Sequence, residues 1–321
     1  SFTTTFLNQA GALVHIYTDG SVHLNHGGIE MGQGTFTKIA QLAANELGLD
    51  FNKIKVTATN TEKVPNTSAS AASATTDLNG AAVLNAINKI KSNINTFVKR
   101  KYNINTDFAE YKNELVKYKN RTFKFTDLIM DAYLNRVSLS STGFYSTPKI
   151  YFDKNNFKGN PFFYFAYGAA VSEVIIDTLT GENKILQVDI LHDVGKTINE
   201  GIDMGQIEGG FIQGMGWLTM EEVLWNKNGE ITTHSPSTYK IPSVSDMPHI
   251  FNAKIYKDGI NTEKVVNQSK TTGEPPLMLA MSVFFALKEA ISSISNYNKF
   301  PNLDTPATPE KILLALNQMK E

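Results

Sequence analysis

Apolar residues alternate with polar ones over residues 11–25, placing Ala12, Val14, Ile16, Val22 and Leu24 on one face, with Asp19-Gly20 between the two runs. This predicts a β-hairpin closed by a two-residue turn. The period then changes. After a glycine-rich turn over residues 27–34, Ile39, Leu42, Ala43 and Leu47 recur at helical spacing until Gly48. Residues 53–58 alternate as a strand. A loop of small polar residues, 65–76, leads to Asp77, which can cap a long helix through Val83, Ile87, Ile90 and Ile94. Residues 107–121 are charged and amphipathic and read as a solvated surface element. Thr126-Asp127 opens a further helix through Ala132.

Gly, Pro and Asn are dense over residues 153–161, the best linker in the chain, which divides it into lobes 1–157 and 158–321. In the second lobe, 162–176 and 184–191 read as strands joined across 177–182, and a helix covers about 203–222. The helix following Pro275-Pro276 is apolar on almost every face and is expected to be buried; a last helix begins at Pro309, capped by Thr308. Strands and helices are interspersed without regular βαβ alternation. The expected fold class is α+β, with mixed hairpins and helices in two lobes.

Composition narrows the function. A length of 321 residues accommodates about two domains, and 41% apolar with 19% charged residues is a globular balance. Thirty basic against thirty-one acidic residues leave no basic excess, so neither a nucleic acid nor an anionic membrane is the expected partner. No run of about 18 apolar residues suggests a membrane span. With no cysteine, the chain has no disulfide, thiolate metal ligand or cysteine nucleophile. The six histidines form no HExxH or HxH pattern and read as structural or surface residues, and no G-x-S-x-G elbow is present. The chain opens at Ser1 without a starting Met or leader pattern, which reads as a processed or excised piece.

Four segments could carry chemistry. Gly27-x4-Gly32 has phosphate-loop spacing, but Gln33 stands where the lysine would be and Gly34 where the hydroxyl residue would be, so a nucleotide loop is not expected. Free N–H groups between Gly32 and the helix start could instead hold an anion or polar ligand, with Gln33 adding a donor and an acceptor; alternatively the glycines only permit a tight turn. Residues 67–76 are all Ser, Ala or Thr, suited to close approach by a flat ligand or to a surface linker. Five glycines fall within 205–216, a helix expected to pack closely against backbone or a ligand, with Gln206 and Gln213 on one face. Gly273-Glu274-Pro275-Pro276 sets a carboxylate before a proline, in extended conformation, at the start of an apolar helix; Glu274 there is either a poised general base or an ordinary helix-start residue.

Taken jointly, these motifs closely resemble the xanthine dehydrogenase/xanthine oxidase family of molybdenum hydroxylases. They are Phe2-Thr3 with Phe6-Leu7-Asn8-Gln9-Ala10-Gly11-Ala12, Tyr17-Thr18-Asp19-Gly20-Ser21-Val22, and Gly28-x-Glu30-Met31-Gly32-Gln33-Gly34. Val64-Pro65-Asn66-Thr67-Ser68, Ala71-Ala72-Ser73, Asp203-x-Gly205-Gln206-x-Glu208-Gly209, Pro236-Ser237-Thr238-Tyr239-Lys240-Ile241-Pro242 and Gly273-Glu274-Pro275-Pro276-Leu277 complete the set. The resemblance runs from Phe2 to about Ser292 and implies the C-terminal part of a molybdopterin-binding region, one that hydroxylates hypoxanthine to xanthine and xanthine to urate. It implies that Glu274 is the base that deprotonates the molybdenum-bound hydroxyl, which attacks the purine carbon as hydride passes to the sulfido ligand. It also implies that Gly32, Gln33, Ala72, Ser73 and Gln206 surround the cofactor, with the Ala72 backbone nearest the metal, and that Phe2 and Thr3 contact substrate. The metal would be held by pterin dithiolene sulfurs.

By the same resemblance, iron–sulfur (2Fe-2S) and FAD modules, an NAD or oxygen acceptor, and the purine-reading Glu and Arg belong upstream of Ser1, in a cytoplasmic or peroxisomal homodimer. The chain departs from the family at Thr35-Phe36, where Leu-His is frequent, and at Ser146, where Arg is usual. An aldehyde oxidase with the same catalytic core, and a non-catalytic cofactor-binding or dimerisation fragment, are the alternatives.

Overall fold

The opening alternation forms β1, Gln9–Ile16, paired antiparallel with β2, Val22–His26, in the computed structural model, which describes residues 5–63, 66–106 and 108–320. The connection differs from the expected two-residue turn. Tyr17 N donates to Ser21 O and Gly20 N to Tyr17 O, each at 2.9 Å, so Thr18, Asp19 and Gly20 make a three-residue loop. Gly20 takes φ 82°, the left-handed position that ends such a loop. Helix α1, Thr35–Leu47, ends on Gly48 at φ 63°. Strand β3, Ile54–Thr57, pairs parallel with β2.

Helix α2, Thr75–Tyr102, starts two residues before Asp77, with Ala74 as its N-cap. Asp77 is therefore not the cap but lies in the first turn. The stretch expected to be a solvated surface element is a meander of β4, Glu110–Lys112, β5, Leu115–Tyr118, and β6, Arg121–Lys124. Val116 and Tyr118 are its buried residues, a period of two that its charges had masked. Helix α3, Phe125–Leu134, and strand β7, Ser140–Ser146, follow. The expected linker stretch forms a hairpin of β8, Tyr151–Asp153, and β9, Lys158–Asn160, whose Gly, Pro and Asn residues turn and end the strands; the main segment of the first unit ends just after it, at Phe165.

The chain divides into two units, and the first holds all these elements. It runs to Phe165 and takes in Lys196–Glu200 and Ile260–Thr271. Its sheet has the order β3-β2-β1-β7. Ala10, Ala12, Val14 and Ile16 of β1 are buried with Ala82, Val83, Ala86, Ile87 and Ile90 of α2. Gly143 of β7 allows the close approach of that helix, since a Cβ there would lie 1.9 Å from Ala82 O.

The second unit comprises Ala166–Gly195, Gly201–Gly259 and Thr272–Glu321. Strand β10, Gly168–Ile176, runs antiparallel to β11, Asn183–His192. Helix α4, Glu200–Thr219, precedes β12, Ile250–Ile255, which pairs parallel with β11. Helices α5, Pro275–Leu279, α6, Met281–Ser292, and α7, Pro309–Lys320, complete it. The apolar helix expected to be buried all round is two helices meeting at Ala280, and only one stripe is buried: Pro276, Ala280, Val283, Leu287 and Ile291. Met278, Met281 and Phe285 are exposed. By length and composition alone, Pro275–Ser295 could cross a bilayer, contrary to the sequence expectation; its buried stripe packs into the core of this unit.

Candidate functional site

In the first unit the glycine turn and the small-residue loop meet. Ile29 N donates to Ser70 Oγ at 2.9 Å. A Cβ on Gly27 would fall 2.3 Å from Thr67 Oγ1, so the loops touch at van der Waals limits. Thr67 Oγ1 also accepts from Gly11 N at 3.2 Å, and Ser68 bonds both backbone groups of Gln9. The small-residue loop is thus tied to β1, an interior strand of the sheet, and the glycine turn is tied to that loop.

The glycine turn does not offer an open anion site. The Glu30 carboxylate accepts from Gly32 N, Gly34 N and Phe36 N, each at 2.9 Å, and occupies the N-terminus of α1 itself. Burial pushes the Glu30 pKa up, but the backbone donors of Phe36, Gly34, Gly32 and Thr35 outweigh it, and the carboxyl is held below its ordinary value. Gly32 and Gly34 take φ 101° and 78°, which turn the N–H groups inward. Gln33 is likewise engaged within the turn: its Oε1 accepts from Met31 N at 2.5 Å and its Nε2 donates to Ile29 O at 2.8 Å. The expected free N–H groups are replaced by a self-capped turn. Glu30 was legible only as a carboxylate a few residues before a helix start. Beneath it His26 is fully buried, its Nδ1 accepting from Gly28 N at 3.2 Å. Burial pushes the His26 pKa down to about 4, against a smaller raising effect of Glu30.

The small-residue loop is the opposite case. Ala72 and Ser73 take φ 55° and 54°, left-handed values that cost a non-glycine residue about 1–3 kcal/mol each. Ser73 Oγ is buried without a hydrogen-bond partner. Strain and an unpaired buried hydroxyl in consecutive residues mark a segment shaped for something other than its own stability.

Asp77 follows four residues later. Its carboxylate accepts from the Tyr164 hydroxyl, 87 residues away in sequence. Burial pushes Asp77 up to about 6, against the lowering effects of Tyr164 and Lys38. Tyr164 is pushed well above its ordinary value, by burial first and then by Asp77. No local pattern announces this pair, since its members lie far apart in sequence.

The second unit carries Gln206 and Glu274. The α4 glycines divide by role. A Cβ on Gly214 would lie 2.4 Å from Leu277 O, and one on Gly210 would lie 3.1 Å from Pro276 Cβ, so this side packs against α5. Gly205 and Gly209 are exposed, with nothing within 4 Å of a Cβ. Gln206 lies between them, half-buried. Glu274 is the exposed N-cap of α5 at φ −110°, ψ −34°. That is not the extended conformation expected before a proline; Pro275 opens the helix directly behind it. Thr272 Oγ1, two residues earlier, donates to buried Asp203 at 3.3 Å.

The structure therefore gathers Gly32, Gln33, Ala72 and Ser73 in one unit and Gln206 and Glu274 in the other. Phe2 and Thr3 lie outside the described residues, as do Val64 and Pro65. Among the described residues no group of three or more His, Asp or Glu side chains could hold a metal ion.

Residues 1–248 match the family described as the molybdopterin cofactor-binding domain. The chain is 47% identical over 318 residues to xanthine dehydrogenase/oxidase from Mus musculus and 46% identical over 326 residues to xanthine dehydrogenase from Oryza sativa, covering 97% and 98% of this chain. It spans about a fifth of those relatives, 22% of each. Quinoline 2-oxidoreductase from Pseudomonas putida 86 shares the fold, with a TM-score of 0.83 at 22% identity over 97% of this chain and 38% of that one.

Proposed function

The chain belongs to the molybdopterin cofactor-binding domain family, and from that premise we propose that it is the C-terminal cofactor-binding part of a xanthine dehydrogenase/oxidase-type hydroxylase acting on purines, hypoxanthine and xanthine. The identity of 46–47% to two xanthine dehydrogenases across nearly its whole length carries this reading. The iron–sulfur and flavin modules then belong to the part of the protein that this chain does not span.

The residues present fit the cofactor. Ser73 has a buried hydroxyl in want of a partner, and the exposed backbone at Gly205 and Gly209 admits close approach of a ligand atom. Bound molybdopterin would supply molybdenum redox chemistry and deliver oxygen to an electron-poor carbon. This chain supplies the rest. Ala72 and Ser73 present backbone and hydroxyl to the cofactor. Gln206 offers an amide donor and acceptor from a helix anchored by Gly210 and Gly214. Glu274 takes up a proton during oxidation, as a general base set on a proline-started helix whose far side is packed on α4. Phe2 and Thr3 line the substrate.

Glu274→Gln in the full-length enzyme tests this. Turnover of xanthine is expected to fall by at least about a thousandfold with molybdenum content unchanged. Wild-type turnover would remove Glu274 as the base, and turnover of aldehydes but not purines would reassign the substrate.

A further inference from the structure

The strained turn at Ala72-Ser73 needs something to hold it. Ala74 N donates to Ala71 O at 3.2 Å and closes the turn, but the Ala74 cap makes no side-chain hydrogen bond, so one backbone bond is the local support at this loop-to-helix junction. What the first turn of α2 does have is Asp77, clasped by the Tyr164 hydroxyl. Tyr164 also accepts hydrogen bonds from the backbone and side chain of Thr271. Lys38, buried on α1, faces the same carboxylate, and Asp77 in turn acts on Tyr145 of β7. Three separate segments of the first unit thus converge on one side chain, four residues after Ser73, and a fourth reaches it through Tyr164.

A buried carboxylate bonded by a phenol and faced by a lysine is costly to disturb, because removing one partner leaves the others unpaired in a poorly solvated place. The arrangement immobilises the first turn of α2. Left-handed non-glycine residues persist only where their surroundings over-determine them, and Ala72-Ser73 is bounded by Ile29–Ser70 on one side and by this clasp on the other. We propose that Asp77 and Tyr164 are positioning residues that keep Ala72 and Ser73 in the conformation that receives the cofactor. The inference rests on the reading of that turn as a cofactor contact.

The test uses the full-length enzyme with Tyr164→Phe, which removes one hydroxyl and leaves the ring. Amide exchange over residues 70–76 is expected to quicken about tenfold, the effect of losing a charge-assisted hydrogen bond. Molybdenum per chain is expected to fall severalfold. Asp77→Asn, which still accepts from Tyr164, should keep the metal, and Asp77→Leu should lose it. If Tyr164→Phe does not fold, the two Asp77 variants carry the test alone. A purely architectural role would lower the thermal midpoint and leave metal content and exchange at 70–76 untouched; that result overturns the proposal. Quickened exchange with full metal content also overturns it, by separating the clasp from cofactor retention. Absence of molybdenum from the unmodified enzyme would instead contradict the cofactor reading, while the exchange measurement still decides whether the clasp holds the turn.

Discussion

Two loops lie side by side on the first unit and solve the same problem in opposite ways. The glycine turn satisfies itself: Glu30 takes the N–H groups of Gly32, Gly34 and Phe36, and Gln33 bonds at both ends within the turn. The neighbouring loop closes with a single backbone bond, Ala74 N to Ala71 O, and leaves Ala72 and Ser73 left-handed and Ser73 Oγ buried and unpaired. A loop that closes on itself is a wall. In the proposed function, the cofactor supplies the partner that Ser73 Oγ lacks.

The comparison breaks most visibly at Glu30. Glu30→Ala frees at least three backbone donors and should lower stability by about 2–3 kcal/mol, read as a drop in the urea midpoint. An unchanged midpoint would mean that the turn is not held by its own carboxylate. Gly27→Ala comes next. Its Cβ would collide with all three side-chain heavy atoms of Thr67, Oγ1, Cβ and Cγ2, which predicts a loss of about 2 kcal/mol. Thr67→Gly in the same protein, which removes all three atoms, should recover part of that loss, because the two positions share this contact; simple additivity would show that they do not.

Acid sharpens the contrast in a smaller way. The folded pKa of His26, about 4, lies below its ordinary 6.5. Its stabilising contribution is complete above pH 6.5 and is lost as pH falls toward 4. Asp77 runs the other way: its folded pKa of about 6 lies above the ordinary 3.8, so its contribution is complete below 3.8 and is lost as pH rises through 6. Between pH 6.5 and 4 the wild type should therefore lose more stability than His26→Gln, measured by urea unfolding at each pH. The smallest effect is expected in the strained loop. Without cofactor, Ser73→Ala should be neutral or gain up to about 1 kcal/mol, because it removes an unpaired buried hydroxyl.

Much of the fold could be read from short-range pattern. The hairpin, α1 with its Gly48 stop, and the helix at Pro309 follow from alternation, helical spacing and turn residues. The misreadings share a cause. The 107–121 stretch hid a period of two under its charges, and the glycines, prolines and asparagines near residue 157 served a hairpin. Glu274 adopted helical angles because the helix starting at Pro275 fixed it. The candidate site was legible as motifs: Gln33, Ala72, Ser73, Gln206 and Glu274 all stood in recognisable strings. What those strings could not convey was which polar groups are already satisfied. That depends on Glu30 folding back on its own turn, and on Tyr164 reaching Asp77 from 87 residues away.

Amide exchange in the full-length enzyme, with and without bound molybdenum cofactor, tests the difference between the two loops directly. Loading the cofactor should slow exchange over residues 70–76 by at least about tenfold and leave residues 32–36 unchanged, since Glu30 already holds their N–H groups. Slowing at 32–36 with none at 70–76 would contradict the account.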